Sequence, residues 1–131
     1  MAGERRKRAE ADEIIDYLGL GRYADEPTGH LSTGTRRIVE LGGLLAVDAR
    51  VLLLDEPTGG VAQRETEAFG PLIRRIQREL DPAVVAIEHD MPLVMSIPDP
   101  GYCLESGVVI ARGNPGDVRD HVTVLTRVLR H

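Results

Sequence analysis

Hydrophobic residues along the chain alternate between helical spacing and short unbroken runs. Helical spacing predicts four helices, whose apolar faces are Ile14, Ile15 and Leu18, then Ile38, Leu41 and Leu45, then Phe69, Leu72, Ile73, Ile76 and Leu80, and finally Val118, Val122, Leu125 and Leu129. Unbroken apolar runs at 51–54 and 83–87 predict strands that are buried on both faces. The alternation predicts an α/β fold with a mostly parallel sheet and flanking helices.

Glycine and proline mark the boundaries between these elements. A loop is predicted over 21–30, and Gly70-Pro71 predicts a kink or a restart of the surrounding helix. The spacing also predicts a short helix at 91–95 and a hairpin at 102–112 that turns at Ser106-Gly107. No internal repeat or clear linker interrupts the chain, which indicates one domain or part of one.

Polar residues suited to catalysis follow the two apolar runs. Asp55 and Glu56 directly follow the first run, and His89 lies just after the second. Because ligands of open α/β sheets bind at the carboxyl ends of the strands, we expect these three side chains near one another. A carboxylate there suits Mg²⁺, and a second carboxylate or an imidazole suits a reacting water. Taken singly, each is equally typical of a polar turn.

Ser32 and Gly34 precede the predicted helix over 36–47. The first amides of a helix are unpaired and carry the positive end of its dipole, so this start suits a phosphate. The alternative, which these residues alone favour, is a serine cap with a permissive glycine and no ligand.

The composition is typical of a globular domain, or part of one, with a modest hydrophobic core. The 131 residues are 42% hydrophobic and 28% charged, with a net charge of -5, which argues against broad nucleic-acid binding. No apolar stretch reaches the ~20 residues that cross a bilayer, so a cytoplasmic location is the default expectation. The single cysteine, Cys103, excludes an internal disulfide and is expected to be a buried strand residue.

Five segments in order resemble the nucleotide-binding domain of ABC transporters. They are similar to the signature motif (Leu31 to Thr35), Walker B (Val51 to Glu56), the D-loop (Gly59 to Ala62), the switch histidine (His89) and the segment after the last strands (113–115). The sequence from Ile87 to Met95 most resembles ATPases that import branched-chain amino acids or amides. The resemblance covers nearly the whole chain, with 1–48 as part of the helical subdomain and 49–131 as the Walker B, D-loop, switch-histidine and carboxyl-terminal region.

The resemblance implies ATP and Mg²⁺ as cofactors and assigns a role to each motif. Asp55 would hold the Mg²⁺ that accompanies ATP, and Glu56 and His89 would be catalytic. The signature residues would contact the γ-phosphate of ATP held by a second ABC ATPase domain; they are Ser32, Thr33, Gly34 and Thr35. Permease subunits would dock on the helical region around Ile14 to Leu31, which implies a place on the cytoplasmic face of the cell membrane.

The sequence departs from the family pattern in two ways. Thr33, Thr35 and Ala62 stand where the family usually carries glycine, glutamine and aspartate. The phosphate loop of P-loop NTPases, Gly-x-x-x-x-Gly-Lys-Ser/Thr, is absent, and Lys7, the only lysine, lies in a charged run. The chain is therefore interpreted as the distal half of a P-loop NTPase domain, whose partners include the missing Walker A half and which has no steady ATPase activity alone. Its strands are expected to expose an apolar surface where sheet neighbours are missing.

Three hypotheses follow. The first is the distal part of a transport ATPase that imports branched-chain amino acids or amides. The second is a non-catalytic interaction module derived from such an ATPase, favoured by Thr33, Thr35 and Ala62 but not by Glu56. The third is a distal head segment of an SMC-like DNA-repair ATPase, which the absence of a sustained heptad pattern before Leu31 disfavours.

Overall fold

The structure, a computed structural model, describes residues 1–121, which fall into two compact units divided between His89 and Asp90. Of the predicted carboxyl-terminal helix, Val118 lies in a short helix, while Val122, Leu125 and Leu129 lie outside the described residues. Within residues 1–121, no helix is long and apolar enough to cross a membrane.

The first unit alternates helices with two strands, as the hydrophobic pattern predicts. In order, its elements are α1 (Ala2–Tyr17), two short 3-10 turns (Gly21–Tyr23 and Thr28–His30), α2 (Thr33–Ala46), β1 (Val51–Asp55), α3 (Gln63–Thr66), α4 (Phe69–Leu80) and β2 (Ala83–Ile87). The break between α3 and α4 confirms the predicted restart near Gly70-Pro71, since proline fits the first turn of a new helix. Asp81 ends α4 in the left-handed conformation typical of helix ends.

The core of the first unit forms where the apolar faces of its helices meet one face of β1. Leu52 and Ile76 are almost fully buried, at 1% and 0% exposure, and they join a cluster made with Leu18, Leu20, Leu41, Phe69 and Ile73. All of these residues except Leu20 are ones that helical spacing or the first apolar run singles out. The core therefore fixes the strand whose end carries Asp55 and Glu56.

The two strands pair in parallel, with Val51 opposite Ala83 and Asp55 opposite Ile87. The prediction that both strands are buried on both faces is wrong for this chain. Side chains alternate along a strand, and only the Leu52 and Leu54 side of β1 packs on the core. The other face stays open, with Leu53 at 73% exposure and Ile87 at 62%. The expectation of an exposed apolar surface thus holds.

The second unit contains a helix, a hairpin and a further short helix. Its described elements are α5 (Met91–Ser96), β3 (Gly101–Glu105), β4 (Val108–Gly113) and α6 (Pro115–Asp120). The antiparallel β3–β4 pair turns at Ser106 and Gly107, both at positive φ, as predicted for a tight hairpin. Cys103 is half-buried and not buried as expected, and it lies at an irregularity in the register of this two-stranded ribbon.

Candidate functional site at the end of the parallel strands

The candidate catalytic residues meet where β1 and β2 end. The backbone amide of Glu56 donates to the carbonyl of Ile87 at 2.8 Å, which continues the strand pairing by one residue. This bond brings the turn after β1 beside the residues that follow β2. The Nδ1 atom of His89 lies 3.4 Å from Oε1 of Glu56, and both side chains are largely exposed.

Glu56 has an unusual backbone conformation. Its φ is 45°, in the left-handed region that costs a non-glycine residue roughly 1–2 kcal/mol. Two backbone hydrogen bonds hold it there, the one to Ile87 and a second in which the Gly59 amide donates to the Glu56 carbonyl at 2.8 Å. A Cβ at Gly59 would lie 3.1 Å from that carbonyl oxygen, so this tight turn favours glycine. Strain of this kind is often concentrated at functional sites.

A second contact joins the turn after β1 to the residues after β2 through the side chain of Glu88. The Thr58 amide and hydroxyl both donate to Oε1 of Glu88, at 2.9 and 2.6 Å, and the other carboxylate oxygen accepts from the His89 amide at 3.2 Å. Thr58 is buried, at 7% exposure. The Glu88 carboxylate therefore connects the turn that carries Glu56 to the residue that carries the imidazole.

This edge has the donor set for Mg²⁺ that arrives with a phosphate ligand. Asp55 is exposed and lies at the last position of β1, beside Glu56. Mg²⁺ commonly takes one or two carboxylates from the protein and its other ligands from phosphate and water. In residues 1–121 no group of three or more potential ligands is close enough to form a metal cage. Asp55 and Glu56 offer the carboxylate oxygens that such an ion would need.

The candidate signature residues form the start of α2. Ser32 is its N-cap, and the serine Oγ accepts from the Thr35 amide at 3.1 Å. Gly34 is buried, whereas Thr33 and Thr35 are partly exposed. Arg36 donates to the Thr33 hydroxyl at 3.4 Å. The structure confirms Ser32 as a helix cap, and its contact with a phosphate stays a prediction.

Three residues of this region were not singled out for a role by the sequence. Thr58 and Glu88 form the second contact between the two strand ends. Glu65 on α3 contacts Ser32, which lies 33 positions earlier in the chain. The Thr58 to Glu88 contact could have been predicted from the sequence, because parallel pairing places a carboxylate after β2 opposite a threonine after β1. For Glu65 no sequence signal exists, because the contact depends on how α3 lies against α2.

Comparison with families and curated proteins gives one consistent result. The family model described as ABC transporter matches residues 1–59. The chain is 34% identical over 129 residues to the high-affinity branched-chain amino acid transport ATP-binding protein BraF of Pseudomonas aeruginosa. The matched region covers 95% of this chain and 51% of that protein. The corresponding protein LivG of Escherichia coli is 30% identical over 115 residues, which is 88% of this chain and 45% of the relative. The chain thus spans about half the length of these relatives.

Solved structures agree. Part of the cbiONQ ABC transporter complex, cbiO1 from Clostridium perfringens, is similar with a TM-score of 0.80 and 30% identity, over 98% of this chain and 51% of the other. The ADP conformation of an ATP-binding cassette from an ABC transporter gives a TM-score of 0.86 at 24% identity, over 96% and 51% of the two chains, which supports the fold. By sequence and by fold, this chain belongs to the ATP-binding domains of the ABC transporter family.

Proposed function

We propose that this chain is the distal part of an ABC transporter ATPase that powers the import of branched-chain amino acids or amides. The observation that carries the proposal is the approach of His89 to Glu56 at the end of the β1–β2 pair. Relatives named as branched-chain amino acid transport proteins support the choice of cargo class.

Glu56 is the residue proposed to act on the attacking water. Its carboxylate is exposed at the end of the strand, so it is accessible to a water and to a bound nucleotide. The two backbone hydrogen bonds that hold its turn keep the backbone of Glu56 at a fixed place before substrate arrives. Such pre-positioning lowers the cost of orienting groups in the transition state.

His89 is proposed to hydrogen-bond the γ-phosphate or the attacking water. Its amide is held by Glu88, and its Nδ1 faces the Glu56 carboxylate. With Nδ1 turned to Glu56, the remaining ring nitrogen, Nε2, is available to the attacking water or, when the ring carries both protons, to a phosphate oxygen. Asp55 would hold Mg²⁺, which neutralises charge on the phosphates when bound.

The start of α2 is proposed to serve a second ATP. Ser32, Thr33, Gly34 and Thr35 would face the γ-phosphate of a nucleotide bound by a second ABC ATPase domain, so that two domains share two sites. Permease subunits would bind the helical region around Ile14 to Leu31 and hold the assembly on the cytoplasmic face of the membrane. Membership of the family is what supports these partners.

The exposed face of the β1–β2 pair is proposed to pack against the segment that bears the phosphate loop. Val51, Leu53, Val85 and Ile87 each expose more than half of their surface on these two strands. A parallel sheet in an α/β protein is normally covered on both faces. The segment that completes the ATP site would cover this surface at the same time.

A non-catalytic interaction module is the second candidate. Ala62 begins α3 without a side-chain cap and offers no carboxylate where many family members carry aspartate. Together with Thr33 and Thr35, this departure favours a chain that presents only its signature face. In that case Glu56 would be dispensable.

Co-expression with the unmatched half of the P. aeruginosa relative would test the proposal. We expect the two polypeptides to co-purify and to hydrolyse Mg·ATP, whereas this chain alone should not. The Glu56→Gln variant should keep Mg·ATP binding and lower turnover by at least about 100-fold, the usual contribution of a general base.

The matched control is Glu67→Gln, which makes the same change at an exposed position one residue beyond α3. Turnover by this control should equal that of the unchanged pair. Equal turnover by the Glu56→Gln pair would exclude a catalytic role for Glu56 and favour the interaction module.

A further inference from the structure

The side chain of Glu65 lies at the start of α2, the helix that begins with the candidate signature residues. The Ser32 hydroxyl donates to Oε1 of Glu65 at 2.5 Å. Glu65 belongs to α3, the first helix after the D-loop segment. An acidic side chain of this same chain is therefore in place where the proposed function needs a phosphate.

The hydrogen bonds of Ser32 leave no donor for a phosphate. A serine hydroxyl has one proton to donate and two lone pairs that accept. The Thr35 amide donates to the Ser32 oxygen at 3.1 Å, and the Thr35 hydroxyl lies 2.9 Å from it. An ionised carboxylate only accepts, so the single Ser32 proton points to Glu65. Ser32 must release Glu65 before it can donate to another oxygen.

Gly34 makes room for this contact. A Cβ built at Gly34 would lie 2.7 Å from the carboxyl carbon of Glu65 and 2.9 Å from its Cβ, closer than real contacts allow. The carboxylate therefore lies against the buried first turn of α2, where the positive end of the helix dipole favours a negative charge. The glycine of the signature segment permits close approach by Glu65 as well as by a ligand.

We propose that Glu65 is an internal competitor that must leave Ser32 before this helix receives a phosphate. The inference rests on the proposed function, since it concerns the phosphate that Ser32 would contact there. Carboxylate and phosphate are both negative acceptors of the same proton, so they exclude each other at Ser32. The signature segment of the free chain is thus held in an autoinhibited state.

Glu65 is also placed to respond to the D-loop. Its backbone amide donates to the carbonyl of Ala62, the last D-loop residue, at 2.8 Å. The D-loop in turn follows Thr58, which Glu88 holds at the sheet edge. A movement of the D-loop on association with a second domain would shift α3 and withdraw the carboxylate, which makes phosphate contact depend on the arrival of the partner.

The first part of the test examines the contact without any ligand. Amide spectra of the 131-residue chain by nuclear magnetic resonance should show the Gly34 and Thr35 signals displaced in Glu65→Ala. The matched control is Glu67→Ala, which removes the same charge two positions away, and it should leave both signals in place. Unmoved signals in Glu65→Ala would show that the carboxylate does not contact α2, and the inference would fall.

The second part titrates the same variants with sodium tripolyphosphate, followed at the Gly34 and Thr35 amides. We expect Glu65→Ala to bind about threefold more tightly than Glu67→Ala, the effect of one weak competing contact between side chains that are at least partly exposed. Glu65→Gln should gain about twofold or more, because its amide oxygen still accepts from Ser32 but carries no charge, and it serves as the test if Glu65→Ala does not fold. Equal affinity in the Glu65 and Glu67 variants, or binding by none of them, would overturn the inference.

These outcomes are separable from those of the proposed function. The titration uses neither a second polypeptide nor hydrolysis, so failed co-purification or an unaffected Glu56→Gln pair would leave its result intact. Conversely, equal tripolyphosphate affinities would remove the competitor role of Glu65 and leave the catalytic role of Glu56 standing.

Discussion

The end of the β1–β2 pair and the start of α2 are both proposed to face nucleotide, yet they are held in different ways. At the strand ends, backbone hydrogen bonds between Glu56 and Ile87 and between Gly59 and Glu56 fix the turn, and the Glu56 carboxylate stays exposed. At the start of α2, a side-chain contact with Glu65 engages the Ser32 hydroxyl. The first region is preformed, and the second is occupied.

The difference indicates which region can be switched. The hydrogen bond between Glu56 and Ile87 continues the sheet, so losing it weakens the pairing of β1 with β2. A contact between two partly or fully exposed side chains contributes little free energy and is exchanged easily. The strand ends are therefore suited to constant chemistry, and the start of α2 is suited to control by a partner.

The largest predicted effect is at the contact that supports the strand ends. Thr58→Val keeps the shape of the side chain but removes the hydroxyl that donates to Glu88, leaving a partly buried carboxylate with one donor fewer. We expect the free energy of unfolding to fall by about 2 kcal/mol, within the range for a lost bond to a charged group. Chemical denaturation of the 131-residue chain measures it.

Thr28→Val is the matched control, because Thr28 is exposed in a 3-10 turn. Its unfolding free energy should stay within about 0.5 kcal/mol of the unchanged chain. Similar losses in both variants would mean that the Thr58 to Glu88 contact contributes no more than a surface hydroxyl, and that the strand ends are not preformed.

A smaller effect with the opposite sign is expected at Glu56. Glu56→Gly should raise the free energy of unfolding by about 1 kcal/mol, because glycine adopts φ of 45° without the clash that a Cβ brings. Glu56→Ala removes the same carboxylate and keeps the Cβ, so the difference between the two variants isolates the backbone term. A glycine variant no more stable than the alanine variant would show that the turn carries no strain. Thermal and denaturant unfolding report both.

The sequence predicts the elements of this fold well, because each element carries its own period. Helical spacing gave α1, α2 and α4, and the turn residues gave the β3–β4 hairpin. The prediction of burial failed, because an apolar run such as 51–54 has the same sequence whether one or both faces of the strand are covered. Coverage depends on what packs on Leu53, and that is a property of neighbours outside the strand.

The candidate site also has features that the sequence predicts and features that it does not. Parallel pairing alone brings Glu56 and His89 together, so the sequence was sufficient to predict that they meet. The left-handed backbone of Glu56 has no sequence signal, because glutamate is not a residue that favours it. Glu65 was beyond prediction for a different reason: its contact with Ser32 joins residues 33 apart through the packing of a four-residue helix.

The smallest predicted effect measures the contact at the start of α2. Ser32→Ala should cost about 1 kcal/mol as a lost helix cap, and the cycle of Ser32→Ala, Glu65→Ala and the double variant should give a coupling of about 0.5 kcal/mol. The same cycle with Glu67→Ala should give none. So small a coupling is what a switchable contact requires, because phosphate can displace Glu65 only if little stability is lost with it. A coupling of about 2 kcal/mol or more would make Glu65 a fixed structural element, and the contrast between a preformed strand end and a switchable helix start would not hold.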